Sequence, residues 1–210
     1  MRYSVDDIVR KVRVFLDMDR ESGDLISLDD ASALSIEEII RSKLIEGVRL
    51  TLLAAPAETI DTARPLRGTV AWRNDTGIGM GVLSLPDNFL RLLSVKMTDW
   101  KRPARIITEQ DEEYAWQSSR HLGVRGNPDR PVAAVVRYPE GVVVELYSCI
   151  GGADVRLERG LYVAQPVVDD DGMVDIPRLL LEDIVRQIAA LVQETLGNTS
   201  LSPSKGGEVE

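Results

Sequence analysis

The chain is poor in the residues that most metal and redox chemistry needs. It has one cysteine, Cys149, and one histidine, His121, in 210 residues. A lone cysteine excludes an internal disulfide, and the two together exclude a zinc site built from Cys and His. Cys149 ends a strand-like run, Val142–Cys149, and reads as a buried structural thiol. No apolar run approaches the roughly 18–20 residues that span a bilayer, and the N-terminus lacks a signal-peptide pattern. Basic excess is also missing. The chain carries 34 Asp and Glu against 25 Lys and Arg, a formal net charge of −9. That excludes a general nucleic-acid coat, which needs a basic stripe to release counterions. A partner with a basic patch, or a pore lining that repels DNA, stays compatible with it.

Catalytic groupings are absent too. His121 lies in a loop-like stretch with no serine or cysteine nucleophile motif around it and reads as a surface histidine. Asp169-Asp170-Asp171-Gly172 lacks the ligand spacing and terminal Glu of a calcium loop, so it reads as a solvated turn. Gly77-Ile78-Gly79-Met80-Gly81 has no following helix and no Gly-Lys-Ser/Thr. Its glycines are better suited to close approach of strands than to holding a phosphate. Glu109, Asp111, Glu112 and Glu113 precede Tyr114 and Trp116. They are expected to form the first turn and solvated face of a short helix. The sequence therefore points to no catalytic residue, no cofactor and no metal.

What is present is strong patterning. At 44% hydrophobic and 28% charged, the composition is that of a globular chain long enough for a real core. Val5, Ile8, Val9, Val12, Phe15 and Leu16 recur at helical spacing behind Ser4. Ile36, Ile39, Ile40, Leu44, Val48 and Leu52 do the same behind the Ser-x-x-Glu signature of Ser35 and Glu38, with Gly47 inside the stripe and Pro56 at its end. A third helix is expected after Asp175 as N-cap, with Pro177 in its first turn. Its stripe runs Leu180, Leu181, Ile184, Val185, Ile188, Leu191, Val192 and Leu196, and Gly197 closes it. Between them the texture is that of strands: 69–73, 78–85, 89–98, 105–108, 132–138, 142–149 and 161–168. Pro139-Glu140-Gly141 predicts a hairpin there. Lys101-Arg102-Pro103 reads as a basic hinge, and Arg120–Arg130 as a longer surface loop.

The expected fold is α+β, with N-terminal and C-terminal amphipathic helices packed together and an antiparallel β domain inserted between them. The boundaries are 1–60 and 175–197 for the helices, 68–168 for the β domain and 198–210 for a flexible tail. The organising stretch is Gly81–Gln117, where Pro86-Asp87-Asn88 predicts a sharp corner between two extended segments.

Leu85-Pro86-Asp87-Asn88-Phe89-Leu90-Arg91, followed by Ser94-Val95-Lys96 and Trp100, resembles a segment of the head–tail connector (adaptor, tail tubular) proteins of tailed bacteriophages. Asn88 stands where that family has a second acidic residue. The layout of helices, β insertion and closing helix is similar as well. The resemblance implies a structural protein of the virion neck, a dodecameric ring below the portal that continues the DNA exit channel. Its partners would be the portal, the downstream tail proteins and further copies of the chain, with no membrane and no sequence-specific DNA contact. It also implies that Leu196 and the tail residues Leu201 and Val209 dock the portal. Two other classes stay open, a protein- or glycan-binding module of non-viral role and a hydrolase.

Overall fold

A computed structural model describes residues 1–20, 30–73, 79–121, 123–147 and 155–199, with side chains throughout except at 18–20, 30–35 and 198–199. In chain order the elements are β1 (Arg2–Ser4), α1 (Val5–Arg20), α2 (Asp30–Ala54), β2 (Arg64–Pro65), β3 (Ala71–Arg73), β4 (Met80–Ser84) and β5 (Phe89–Met97). They continue with β6 (Arg105–Thr108), α3 (Glu112–Trp116), β7 (Val132–Tyr138), β8 (Gly141–Tyr147), β9 (Leu157–Ala164), β10 (Met173–Asp175) and α4 (Leu181–Thr199). The fold is α+β. It divides into two compact units, Met1–Thr62 with Pro166–Glu210, and Ala63–Gln165. Among the described residues no helix is long and apolar enough to cross a membrane.

In the first unit Ser4 Oγ accepts the Asp6 N–H at 3.2 Å, an N-cap bond that satisfies one of the free donors of α1. Asp6 and Asp7 follow in the first turn, where the helix dipole favours them. Ile8, Val9, Val12 and Leu16 are buried, as are Ile40, Leu44, Val48 and Leu52 on α2 and Ile184, Val185, Ile188 and Val192 on α4. The three helices contact one another pairwise. Gly47 sets the closest approach. A Cβ there would lie 2.5 Å from Ile188 Cγ1 and 3.3 Å from the Ile188 backbone, so only glycine lets α2 meet α4 at this depth.

Several expected boundaries move. Helix α2 opens at Asp30, not at Ser35, because Ala31, Ala33 and Leu34 are good helix formers and extend it backwards past the capping signature. Asp175 is no N-cap. It lies in β10 opposite Arg2, and the chain enters α4 through a 3-10 turn, Arg178–Leu180, led by Pro177. Gly197 lies inside α4, which runs on to Thr199, and residues 200–210 of the expected tail lie outside the described residues. A single interior glycine costs about 1 kcal/mol, less than the burial of the stripe beneath it returns. The β1–β10 pair was invisible to pattern because three residues carry no readable alternation.

In the second unit five strands lie in the order β3-β4-β8-β7-β6, and three in the order β2-β9-β5. The β7–β8 hairpin forms as expected, with Tyr138 opposite Gly141. β6 pairs β7 in parallel, so the sheet is mixed rather than wholly antiparallel. A parallel neighbour requires a long crossover, and residues 109–131 with α3 supply it. Strand β9 spans Leu157–Ala164 rather than 161–168, its register being set by β5, while Pro166 cannot donate to a ladder. Side chains alternate between two clusters. Leu83, Leu85, Ala133, Val144 and Leu146 join Leu92, Val95, Met97, Trp100 and Tyr162 in one core. Val82, Val132, Ala134, Val136, Val143 and Tyr147 form the other.

Ile188 is fully buried on α4. Ile188→Ala is expected to lower stability by about 2–5 kcal/mol. Chemical denaturation checks this, and a loss below about 0.5 kcal/mol would mean the helix face is not part of a folded core.

Candidate functional site: an arginine groove beside Trp116

Helix α3 is one turn and a half long, too short to hold itself. Its anchors are specific. Asp111 Oδ2 accepts the Thr108 N–H at 2.6 Å and the Thr108 hydroxyl at 2.9 Å. These donors hold the Asp111 carboxyl below the usual carboxylate range. From the other side the Tyr114 hydroxyl donates to Glu145 Oε2 at 3.0 Å.

Glu145 is 3% exposed, on β8 between Val82 and Ala134 of the flanking strands. An isolated carboxylate there would be costly. It is satisfied by three hydroxyls: Tyr114, Tyr138 at 2.5 Å to Oε1 and Tyr147 at 2.5 Å to Oε2. Arg73 Nη1 donates to the Tyr138 hydroxyl at 3.2 Å, and its guanidinium sits 5.0 Å above the Tyr138 ring. Tyr114 and Tyr147 meet edge to face at 6.5 Å. Burial, then the hydrogen bond and charge of Glu145, push the Tyr138 hydroxyl up to about 12. Tyr147 and Tyr114 are raised for the same reasons, burial first.

The next turn carries the anchoring outward. Gln117 is buried. Its Nε2 donates to the Glu113 carbonyl at 3.0 Å, and its Oε1 accepts the Gly126 N–H at 2.9 Å. Gly126 lies so close to β7 that a Cβ would stand 3.0 Å from the Val132 backbone nitrogen. The Asn127 side chain accepts the N–H groups of Asp129 and Arg130 at 3.0 and 2.9 Å, an Asx turn. The chain is thus tied immediately after Arg125.

Between α3, this loop and the segment Arg102–Arg105 runs a groove of about 490 Å³, lined by Arg102, Arg105, Trp116, Val124, Arg125 and Arg130 among others. Trp116 and Val124 are half exposed, at 50% and 51%. Glu113 is the one carboxylate among the described lining residues, and it is paired with Arg105 at 2.8 Å. Lys101 pairs with Asp129 beside the groove. Arg125 Nε and Nη1 are buried without a hydrogen-bond partner among the described residues.

The expected site residues lie elsewhere. Leu85 and Trp100 are buried in the first core cluster. Pro86 and Asp87 form the anticipated corner, closed by the Phe89 N–H to the Pro86 carbonyl at 2.9 Å. There the chain leaves the five-stranded sheet for the three-stranded one. Phe89 stacks on Tyr162 at 6.2 Å, and Leu90 and Arg91 are half-buried on β5. Leu196 is half-buried on α4, whereas Leu201, Val209 and Cys149 fall outside the described residues, as do Gly77 and Ile78. Gly81 does serve close approach, since a Cβ would stand 2.6 Å from Val70 Cγ1. His121 is exposed in its loop.

The described residues therefore present an α+β protein with a cationic groove beside an exposed tryptophan. No protein-family model matches it. Over 171 residues, 71% of its length, it is 27% identical to the cell shape-determining protein MreC of Caulobacter vibrioides (strain NA1000 / CB15N), and it spans a little under half, 46%, of that protein. This overturns the resemblance to phage head–tail connectors: the match is to a protein of a bacterial cell. The virion neck as location and a ring below a portal as function are withdrawn with it. The portal and tail partners, and the docking role of Leu196, Leu201 and Val209, rested on that resemblance alone and lose their support. The wording of Leu85–Arg91 has a physical origin that needs no common ancestry, because a chain changing sheets needs a proline-led corner between two apolar runs.

Tyr138 keeps its proton to about pH 12 in the folded chain, against 10 when unfolded. Its contribution is complete below pH 10 and is lost as pH rises through 12. Tyrosinate absorbance and thermal melts across this window are the check. Glu145→Gln is expected to move tyrosine ionisation to lower pH, and an unmoved titration would show that the carboxylate does not govern it.

Proposed function

We propose that this chain is a non-catalytic protein-binding module of non-viral role, serving in the determination of cell shape, with residues 63–165 as its binding body. The observation that carries this is the groove. Tryptophan and arginine are the residue types that dominate binding hot spots, and here Trp116 is half exposed beside four arginines. Preorganisation through Glu145, Tyr114 and Gln117 lowers the ordering cost of binding. Guanidinium groups favour carboxylates, which favours a protein over a glycan as partner. The described lining contains no Ser, Thr, Cys or His, and the lone pairs of Glu145 are spent on tyrosines, so nothing there prepares a nucleophile or a base. Similarity to a cell shape-determining protein supports the setting. In this reading the helices of 1–60 and 175–197 pack as one body, into whose sequence the β domain of 68–168 is inserted.

Deleting the gene in its own bacterium is expected to alter cell width or length, measured by microscopy. Re-expression of the natural chain restores the shape and Trp116→Ala does not, although this exposed substitution changes stability by no more than about 0.5 kcal/mol. Normal morphology after deletion would overturn the cell-shape role. Full restoration by Trp116→Ala would overturn the groove as the binding surface.

A further inference from the structure

We propose that the groove takes an acidic segment of a partner protein, whose carboxylates seat on Arg125 and on the flanking Arg102 and Arg130, with an apolar residue between them against Trp116 and Val124. This rests on the protein-binding reading above and names its ligand chemistry.

Charge distribution is the first ground. The chain as a whole is at −9, yet the described groove lining carries Arg102, Arg105, Arg125 and Arg130 against Glu113 alone. Arg105 is neutralised by Glu113. Arg102, Arg125 and Arg130 form no ion pair among the described residues. Three arginines around one groove without a paired carboxylate leave a positive potential there, which an incoming anion offsets.

Arg125 supplies the second ground. A guanidinium has five N–H donors and no acceptor. Two of its nitrogens, Nε and Nη1, are sealed from solvent without a partner among the described residues, which leaves the cation poorly compensated by them. The loop cannot readily swing it into water, because Gly126 is pinned by Gln117 at 2.9 Å and crowded against Val132. A carboxylate arriving in the groove gives those two nitrogens a charge-assisted bond once the Arg125 side chain rotates toward it, with the backbone of the loop unmoved.

A peptide is favoured over a polyphosphate for two reasons. The net charge of −9 repels a nucleic acid at long range, and counterion release by three unpaired arginines is too small to hold one. Trp116 and Val124 also offer apolar area that a side chain uses and a phosphate backbone does not.

The test uses the purified full chain and a fluorescein-labelled Glu-Glu-Leu-Glu-Glu peptide, with Gln-Gln-Leu-Gln-Gln as control, read by anisotropy. The acidic peptide is expected to bind, to weaken as salt rises, and to lose about tenfold or more in affinity with Arg125→Gln and with the exposed charge reversals Arg102→Glu and Arg130→Glu. Melting temperature is measured for each variant. The charge reversals keep the test decisive if Arg125→Gln unfolds. Equal binding of the Gln peptide, no effect of the reversals, or displacement by single-stranded DNA at lower concentration would each overturn the acidic-peptide assignment. Absence of peptide binding, with Trp116→Ala still failing to restore cell shape, would reject the acidic ligand and leave the binding-module reading standing.

Discussion

A carboxylate on the middle strand of a five-stranded sheet is a costly thing to bury, and the second unit is arranged around making it tolerable. Glu145 is 3% exposed, and uncompensated burial of such a group costs several kcal/mol. Three tyrosine hydroxyls remove that cost. They come from different elements: Tyr147 from the same strand, Tyr138 from the neighbouring one and Tyr114 from α3. The carboxylate therefore joins the sheet to the crossover. The Tyr114 bond adds a tie to the middle strand that the Asp111–Thr108 and Glu113–Arg105 contacts at the sheet edge do not supply.

The crossover itself follows from topology. Because β6 lies parallel to β7, the chain must return along residues 109–131 before it can start the next strand. That excursion carries α3, the Arg125 loop and most of the groove wall. Here the parallel pair and the groove are two results of one constraint. Rigidity at the edge follows from the Gly126–Val132 approach and the Asx turn at Asn127, which leave Trp116 exposed on a fixed base rather than on a free loop.

The similarity to a cell shape-determining protein covers less than half of that protein. Arginine rather than lysine lines the groove, and the difference is physical: a planar guanidinium can hold a carboxylate in two parallel bonds and stack flat on an aromatic face, whereas an ammonium is a compact, strongly hydrated point charge. The first unit works differently. Its cohesion comes from helix faces locked at Gly47 against Ile188.

The hydrophobic periodicity and turn chemistry of the sequence by themselves determined α1, α2 and α4 as amphipathic helices, the corner at Pro86, the β7–β8 hairpin and the α+β class. These are local properties, set by side-chain spacing and by the backbone preferences of Pro, Asn and Gly. Tertiary structure alone decided the parallel β6–β7 pair, the three-residue β1–β10 pairing and the extension of α4 through Gly197, because each depends on a partner distant in the chain. The groove belongs to the second kind. Its parts were visible as a basic hinge at Lys101-Arg102-Pro103, a short acidic helix with Trp116 and a loop at Arg120–Arg130, each unremarkable alone. By sequence Glu145 is one charge in an apolar run. Only the register that sets β8 between β4 and β7 buries it, brings Tyr114 over it, and thereby turns three unrelated surface segments into one cationic site.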